Sequence, residues 1–256
     1  MRYVAVGDSF TEGVGDERAD GSVRGWADVL AEGLAAELGE PVDYANLAVR
    51  GRLLAPIMTE QVQAALALSP LPTMITLNGG GNDMLRTGMD ASQLIVLTET
   101  AVVACLEAGV RPVLVCGPDP SQRLPFGRVF RARGDVLTAA ITDIGARHGV
   151  TVVDTFHDAE LRRPPYWSSD RLHLNADGHR RVAGLVLRGL GHHVPVTTVD
   201  AVATSSGVLA ELRYYAEHVR PWVLRRLRGR SSGDGRTGKH LDWVPVPSSG
   251  SGLRST

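Results

Sequence analysis

Apolar positions along this chain follow two alternating rhythms. Short apolar runs, Tyr3–Val6, Val42–Ala48, Thr73–Leu77, Pro112–Cys116 and Val150–Val153, read as five buried strands. Between them apolar residues recur at helical spacing, over Trp26–Leu38, Ile57–Leu68, Ser92–Ala108, Val136–His148 and Ala176–Leu190. Gly39 and Gly109 stand just past two of these helices, where a left-handed cap is favoured. Strands that alternate with helices form βαβ units, whose parallel sheet must be covered on both faces. The pattern therefore predicts an α/β fold, a three-layer α/β/α sandwich around a five-stranded parallel sheet. Its expected strand order is flavodoxin-like, with the first and third strands flanking the switch point where such sheets bind ligands.

The rhythm fails after residue 190, so the chain divides into a domain over 1–191 and a C-terminal extension over 192–256. Within the extension Leu209, Leu212, Ala216, Val219, Val223 and Leu227 mark a basic amphipathic helix at about 207–228. From Ser231 the composition turns to Ser, Gly and Arg, which predicts a mobile tail. One apolar patch interrupts it, Leu241 to Pro247.

Composition narrows the function classes. A chain of 256 residues with 43% hydrophobic and 21% charged residues is an ordinary globular one, and a net charge of −1 offers no footprint for nucleic acid. Lys239 is the only lysine. Cys105 and Cys116 lie in apolar surroundings and read as reduced, buried side chains. No signal peptide is read ahead of the first strand and no apolar run reaches spanning length, so the expected location is cytoplasmic. A monomer is the expected state. The basic helix leaves open a contact with a membrane surface, although a helix laid on its own domain explains the same stripe.

Candidate chemistry gathers at the predicted strand ends. Gly7-Asp8-Ser9 follows the first strand, and Ser9 sits where an α/β sheet places its ligands. Asp and Ser are also common turn and cap residues, so the tripeptide alone decides nothing. A serine needs a base and donors for the developing oxyanion. The base candidate is His173, with Asp170 three residues earlier to hold Nδ1–H and leave Nε2 free. Asn175 is placed to cap the following helix and hold His173 at its entrance. Gly51, after the second strand, lets a backbone N–H approach a substrate. Asn82, after Gly79-Gly80-Gly81, offers a side-chain amide. Asp154-Thr155-Phe156-His157 repeats the Asp-x-x-His spacing, but without the helix cap that anchors His173.

These blocks, in this order, resemble the SGNH hydrolases, also called the GDSL esterase family. The matching residues are Gly7-Asp8-Ser9-Phe10, Gly51 preceded by Asn46, Gly80-Gly81-Asn82-Asp83, and Asp170-Arg171-Leu172-His173 followed by Asn175, Gly178 and His179. The resemblance covers about residues 3 to 190. It implies Ser9 as nucleophile, His173 as base and Asp170 as its orienter. It also implies an oxyanion hole from the Ser9 and Gly51 amides with the Asn82 side chain. The expected activity is metal-independent and cofactor-free hydrolysis of small-molecule carboxylic esters, with a short acyl or acetyl group. Pocket walls are expected from Gly117–Arg131 and Phe156–Trp167. The alternative for such a sheet is a flavodoxin-like nucleotide- or flavin-binding module. The chain lacks its Gly-x-Gly-x-x-Gly turn and a phosphate-loop lysine.

Overall fold

The computed structural model describes residues 1–124, 127–200 and 233–248. Strand β1 (Arg2–Val6) lies at the centre of the sheet. It pairs in parallel with β2 (Val42–Asn46) and with β3 (Met74–Leu77), so that Val4 stands opposite both Ala45 and Ile75. β4 (Arg111–Cys116) and β5 (Thr151–Asp154) continue beyond β3, also in parallel. The order β5-β4-β3-β1-β2 is the flavodoxin-like one, and it brings the carboxyl ends of β1 and β3 side by side.

Among the described residues the sheet has six strands, not five. β6 (His240–Val246) runs antiparallel along β2, with Val246 opposite Val42 and Val244 opposite Tyr44. The expectation of a mobile tail from residue 231 is corrected over this stretch, which belongs to the same sheet as β1. The physical reason is the edge that β2 would otherwise present, a row of unpaired amides beside buried Val42 and Tyr44. Pro245 is tolerated because β6 is outermost, where a missing N–H breaks no ladder. The basic helix expected at about 207–228 lies outside the described residues.

Alternate residues of the strands feed two separate cores. Tyr3, Ala5, Val113 and Val115 pack under α2 (Trp26–Leu38) and α8 (Ala176–Gly189). Val4, Val6, Ile75, Leu77 and Leu114 pack on the opposite face under α6 (Ala91–Glu107) and α7 (Gly127–His148). The same face is covered by α3 (Leu54–Pro56), which passes through a wide π turn at Ile57–Gln61 into α4 (Val62–Leu66). α7 starts nine residues before the expected Val136, because its first turns are polar and contain Gly134. That glycine is a packing requirement: a Cβ there would lie 2.0 Å from the Phe156 ring. No described helix is long and apolar enough to cross a membrane.

Candidate active site

The strand ends of β1 and β3, the loop after β2 and the turn before α8 converge on one site. α1 (Ser9–Glu12) begins directly after Gly7-Asp8, so Ser9 is its first residue. The turn is tight enough to require glycine, since a Cβ on Gly7 would lie 2.4 Å from Thr11 Oγ1. Gln61 holds Gly7 from the π turn, accepting from its N–H at 2.8 Å and donating to its carbonyl at 3.1 Å.

His173 Nε2 lies 3.0 Å from Ser9 Oγ, and His173 Nδ1 lies 2.5 Å from Asp170 Oδ2. Asp170 accepts in addition from the Leu172 and His173 backbone amides at 3.0 and 2.9 Å, and from the Ser168 hydroxyl at 2.6 Å. Burial pushes the Asp170 carboxyl up, but His173 and these donors outweigh it and hold the group well below the usual carboxylate range. Asp170 is thus ionised at any working pH and fixes the imidazole with its proton on Nδ1.

The turn carrying His173 is held from both sides. The Ser168 amide donates to His173 O at 2.9 Å, and Asn175 caps α8 by accepting from Asp177 and Gly178 amides at 3.0 and 3.1 Å. His179 of the same helix faces inward and is fully buried. Its Nδ1 accepts from the Trp26 amide at 3.1 Å, so its proton sits on Nε2, 3.2 Å from Val14 O. Burial lowers this imidazole to about 4, keeping it neutral. Phe10 stacks on it with ring centroids 6.0 Å apart.

Asn82 belongs to α5 (Gly81–Met84), the turn of helix after β3. Its Nδ2 donates to Asp8 Oδ2 at 3.1 Å and to Arg52 O at 2.9 Å, so the two strand ends are joined by a side-chain bond. Gly51 lies between Arg50 and Arg52 at a φ of 76°, a left-handed conformation that favours glycine. Arg50 in turn is clamped by Glu12 of α1, which accepts from its backbone N–H at 2.6 Å and from Nε at 2.8 Å. Asn46 links β2 to α1 by donating to Thr11 O at 3.1 Å.

All five sequence-predicted residues therefore sit on segments that meet here. The structure adds residues that the motifs did not assign. Asp8 is buried and pushed up to about 6 by that burial. Glu12 secures the loop that leads into Gly51, and Asp83 accepts from the Leu54 amide at 2.9 Å. Asp8 and Asp83 belong to the matched motifs and Glu12 follows one, but no role was read for them because their partners are remote in sequence. The second Asp-x-x-His pair is elsewhere. His157 bonds Asp154 through Nδ1 at 2.7 Å and Asp135 through Nε2 at 2.9 Å, and these two carboxylates raise its pKa. Both ring nitrogens are occupied by carboxylates, so neither is turned toward Ser9.

A cavity of about 90 Å³ opens beside His173 and Asn82. Gly117, Pro118, Pro120, Phe130 and Phe156 line it, as expected from the loops, and Leu137, Thr138 and Ile141 of α7 form a wall that was not anticipated. Pro125 and Phe126 lie outside the described residues. Leu124 and Trp167 do not line the cavity.

A family model described as GDSL-like lipase/acylhydrolase matches residues 5–181. The chain belongs to that family. Solved structures share the fold of this GDSL hydrolase. The crystal structure of TesA matches at a TM-score of 0.61 and 20% identity, over 74% of this chain and 98% of its own. A lipase from a goat rumen metagenome, Lip_vut3, matches at 0.62 and 19%, over 74% and 97%. A catalytic mutant of Axe2, an acetylxylan esterase from Geobacillus stearothermophilus, matches at 0.58 and 17%, over 75% and 94%. No curated protein matches the chain in sequence. The GDSL hydrolase is a carboxylic ester hydrolase. Its matched region ends before β6, which lies wholly beyond residue 181.

Proposed function

We propose that this GDSL hydrolase cleaves esters of short acyl groups through an acyl-enzyme on Ser9. The observation that carries the reading is the 3.0 Å approach of His173 Nε2 to Ser9 Oγ, with Asp170 on the opposite nitrogen. Ser9 Oγ attacks the ester carbonyl while its proton passes to His173 Nε2. His173 then protonates the leaving alcohol, and water clears the acyl group by the same two steps. Asp170 stays ionised throughout and stabilises the imidazolium.

Charge developing on the carbonyl oxygen is received by the Ser9 and Gly51 backbone N–H groups and by Asn82. Both Asn82 amide hydrogens are engaged in the free enzyme, by Asp8 and by Arg52 O. Turning one of them toward a neutral carbonyl gains little, whereas a full oxyanion repays the exchange. That difference favours the transition state over the ground state. Replacing Asn82 by Ala is expected to lower kcat by about 10²–10³.

The acyl group lies in the cavity between Phe130, Phe156 and Leu137. Its small volume supports a short chain, with each buried methylene contributing about 0.8 kcal/mol. The test is hydrolysis of p-nitrophenyl acetate, butyrate and octanoate by the wild type and by Ser9→Ala, alongside mapping of an organophosphonate adduct. Acetate and butyrate turnover that vanishes in Ser9→Ala, with the adduct on Ser9, is expected. Turnover that survives the substitution, or an adduct elsewhere, overturns the mechanism, and a preference for octanoate overturns the short-chain reading.

A further inference from the structure

The only lysine of the chain is spent on one interaction. Lys239 stands at the entrance of β6, and its side chain is only 16% exposed. Its ammonium donates to Glu12 O at 2.8 Å and to Val23 O at 3.2 Å, and it also meets Arg24 O and Asp28 Oδ2. Three backbone carbonyls and a carboxylate, drawn from α1, the loop after it and α2, thus converge on one cation supplied from the far end of the chain. An ammonium with three donors and no acceptor suits such a cradle.

The segment around Lys239 also presses on the loop that leads to Gly51. A Cβ on Gly238 would lie 2.6 Å from Asn46 O, and one on Gly233 would lie 2.1 Å from Arg50 O. The two ends of this contact are one mechanical unit. Glu12 gives its carbonyl to Lys239 and its carboxylate to Arg50, the residue before Gly51. Without the ammonium, carbonyls of residues 12, 23 and 24 lose a charged donor in a half-buried place, and the turn after Glu12 has reason to rearrange.

We infer that Lys239 is a positioning residue for ester hydrolysis: its ammonium fixes the carboxyl end of α1 and, through the Glu12–Arg50 clamp, the Gly51 loop. The C-terminal segment is on this view part of the catalytic scaffold, although it lies outside the region matched by the family. The inference rests on the proposed roles of Ser9 and Gly51. A shift of the oxyanion loop by a fraction of a bond length leaves substrate binding largely intact and weakens stabilisation of the transition state.

The experiment uses the full chain as wild type, Lys239→Ala, Lys239→Met and Lys239→Arg. Steady-state hydrolysis of p-nitrophenyl acetate is measured, with circular dichroism to show that each variant is folded. Lys239→Ala is expected to lose about tenfold to a hundredfold in kcat with KM little changed. Ethylammonium, which can occupy the vacated cradle, restores part of that kcat. Tetramethylammonium, which carries no N–H, does not. Should Lys239→Ala fail to fold, Lys239→Met decides, because it keeps most of the apolar stem and removes only the charge and its donors. A folded Lys239→Ala or Lys239→Met with wild-type kcat overturns the inference, as does a change confined to KM or equal rescue by both ammonium ions. Absence of Ser9-dependent hydrolysis in the wild type is a different failure, and it falls on the proposed function.

Discussion

At the scale of single residues the site sets stability against catalysis, and Asp8 shows it. Its carboxylate is buried, and its Oδ2 receives the Asn82 amide. Burial raises its pKa to about 6, so the folded protein resists the ionised form. The sign follows directly. A carboxyl raised in the fold adds stability below its unfolded value near 4, and loses it as pH climbs through 6. At neutral pH the charge costs about 3 kcal/mol. Asp8→Asn is therefore expected to raise the midpoint of urea unfolding at pH 7.5 and to leave it near wild type at pH 4. Turnover falls, because Asn82 loses the anionic partner that fixes its orientation. A variant that unfolds earlier than wild type at pH 7.5 contradicts this account. The two histidines separate at the same scale. His173→Ala is expected to remove activity by several orders of magnitude, and His157→Ala to cost far less, since His157 is held by two carboxylates away from Ser9. Comparable losses in the two variants rule this assignment out. The Asp170–His173 pair was legible in the sequence because the local turn itself places Asp170 on Nδ1, three residues away, whereas Ser9 was reached only through the order of the motifs. Asp8 and Glu12 were not, because their roles depend on Asn82 and Arg50, which only the fold brings near.

Whole elements were legible wherever an apolar stripe marked them, and the misses share a cause. The first turns of α7 carry arginines and Gly134, so no stripe reveals them; Gly134 packs directly against the Phe156 ring. β6 is seven residues long and stands among Gly, Ser and Arg, and its pairing partner β2 lies nearly two hundred residues earlier. A strand whose pairing is entirely long-range leaves little trace in local composition. The glycine in α7 invites a direct test. Gly134→Ala improves helix propensity by about 1 kcal/mol, which alone would stabilise the protein. The added Cβ meets Phe156 Cζ at 2.0 Å, however, and the ring belongs to a packed core. Overpacking of this kind costs about 1–3 kcal/mol, so the clash wins. Thermal unfolding should begin at a lower temperature, and the ring, displaced toward the cavity, should reduce butyrate turnover more than acetate turnover. An unfolding temperature at or above wild type would mean that Phe156 yields freely.

Across the whole molecule one buried group ties α8 to the turn after α1, and its charge state contributes to behaviour in acid. His179 on α8 holds Trp26 at the start of α2 and Val14 after α1, beneath Phe10. Burial lowers its pKa to about 4, so the fold prefers the neutral ring. A histidine depressed in the fold contributes fully above its unfolded value near 6.5, and that contribution drains away as pH falls through 4. The shift amounts to about 3 kcal/mol over this window. Two buried carboxyls run the other way. Asp8 and Asp28, both raised to about 6 by burial, gain stability as they protonate over nearly the same range. For Asp28 burial prevails even against the neighbouring Lys239 ammonium. Each carboxyl shift nearly matches that of the histidine, so the two together outweigh it, and wild-type stability should rise modestly as pH falls from 6.5 to 4.5. Replacing His179 by Gln keeps one donor and one acceptor but removes the titrating ring, which leaves the carboxyl slopes alone. His179→Gln should be less stable than wild type at pH 7, through imperfect bonds to Trp26 and Val14, yet become more stable as pH falls toward 4.5. Urea unfolding of both proteins at pH 7, 5.5 and 4.5 checks this. Curves that stay parallel across the three values would show that His179 is not the group that titrates.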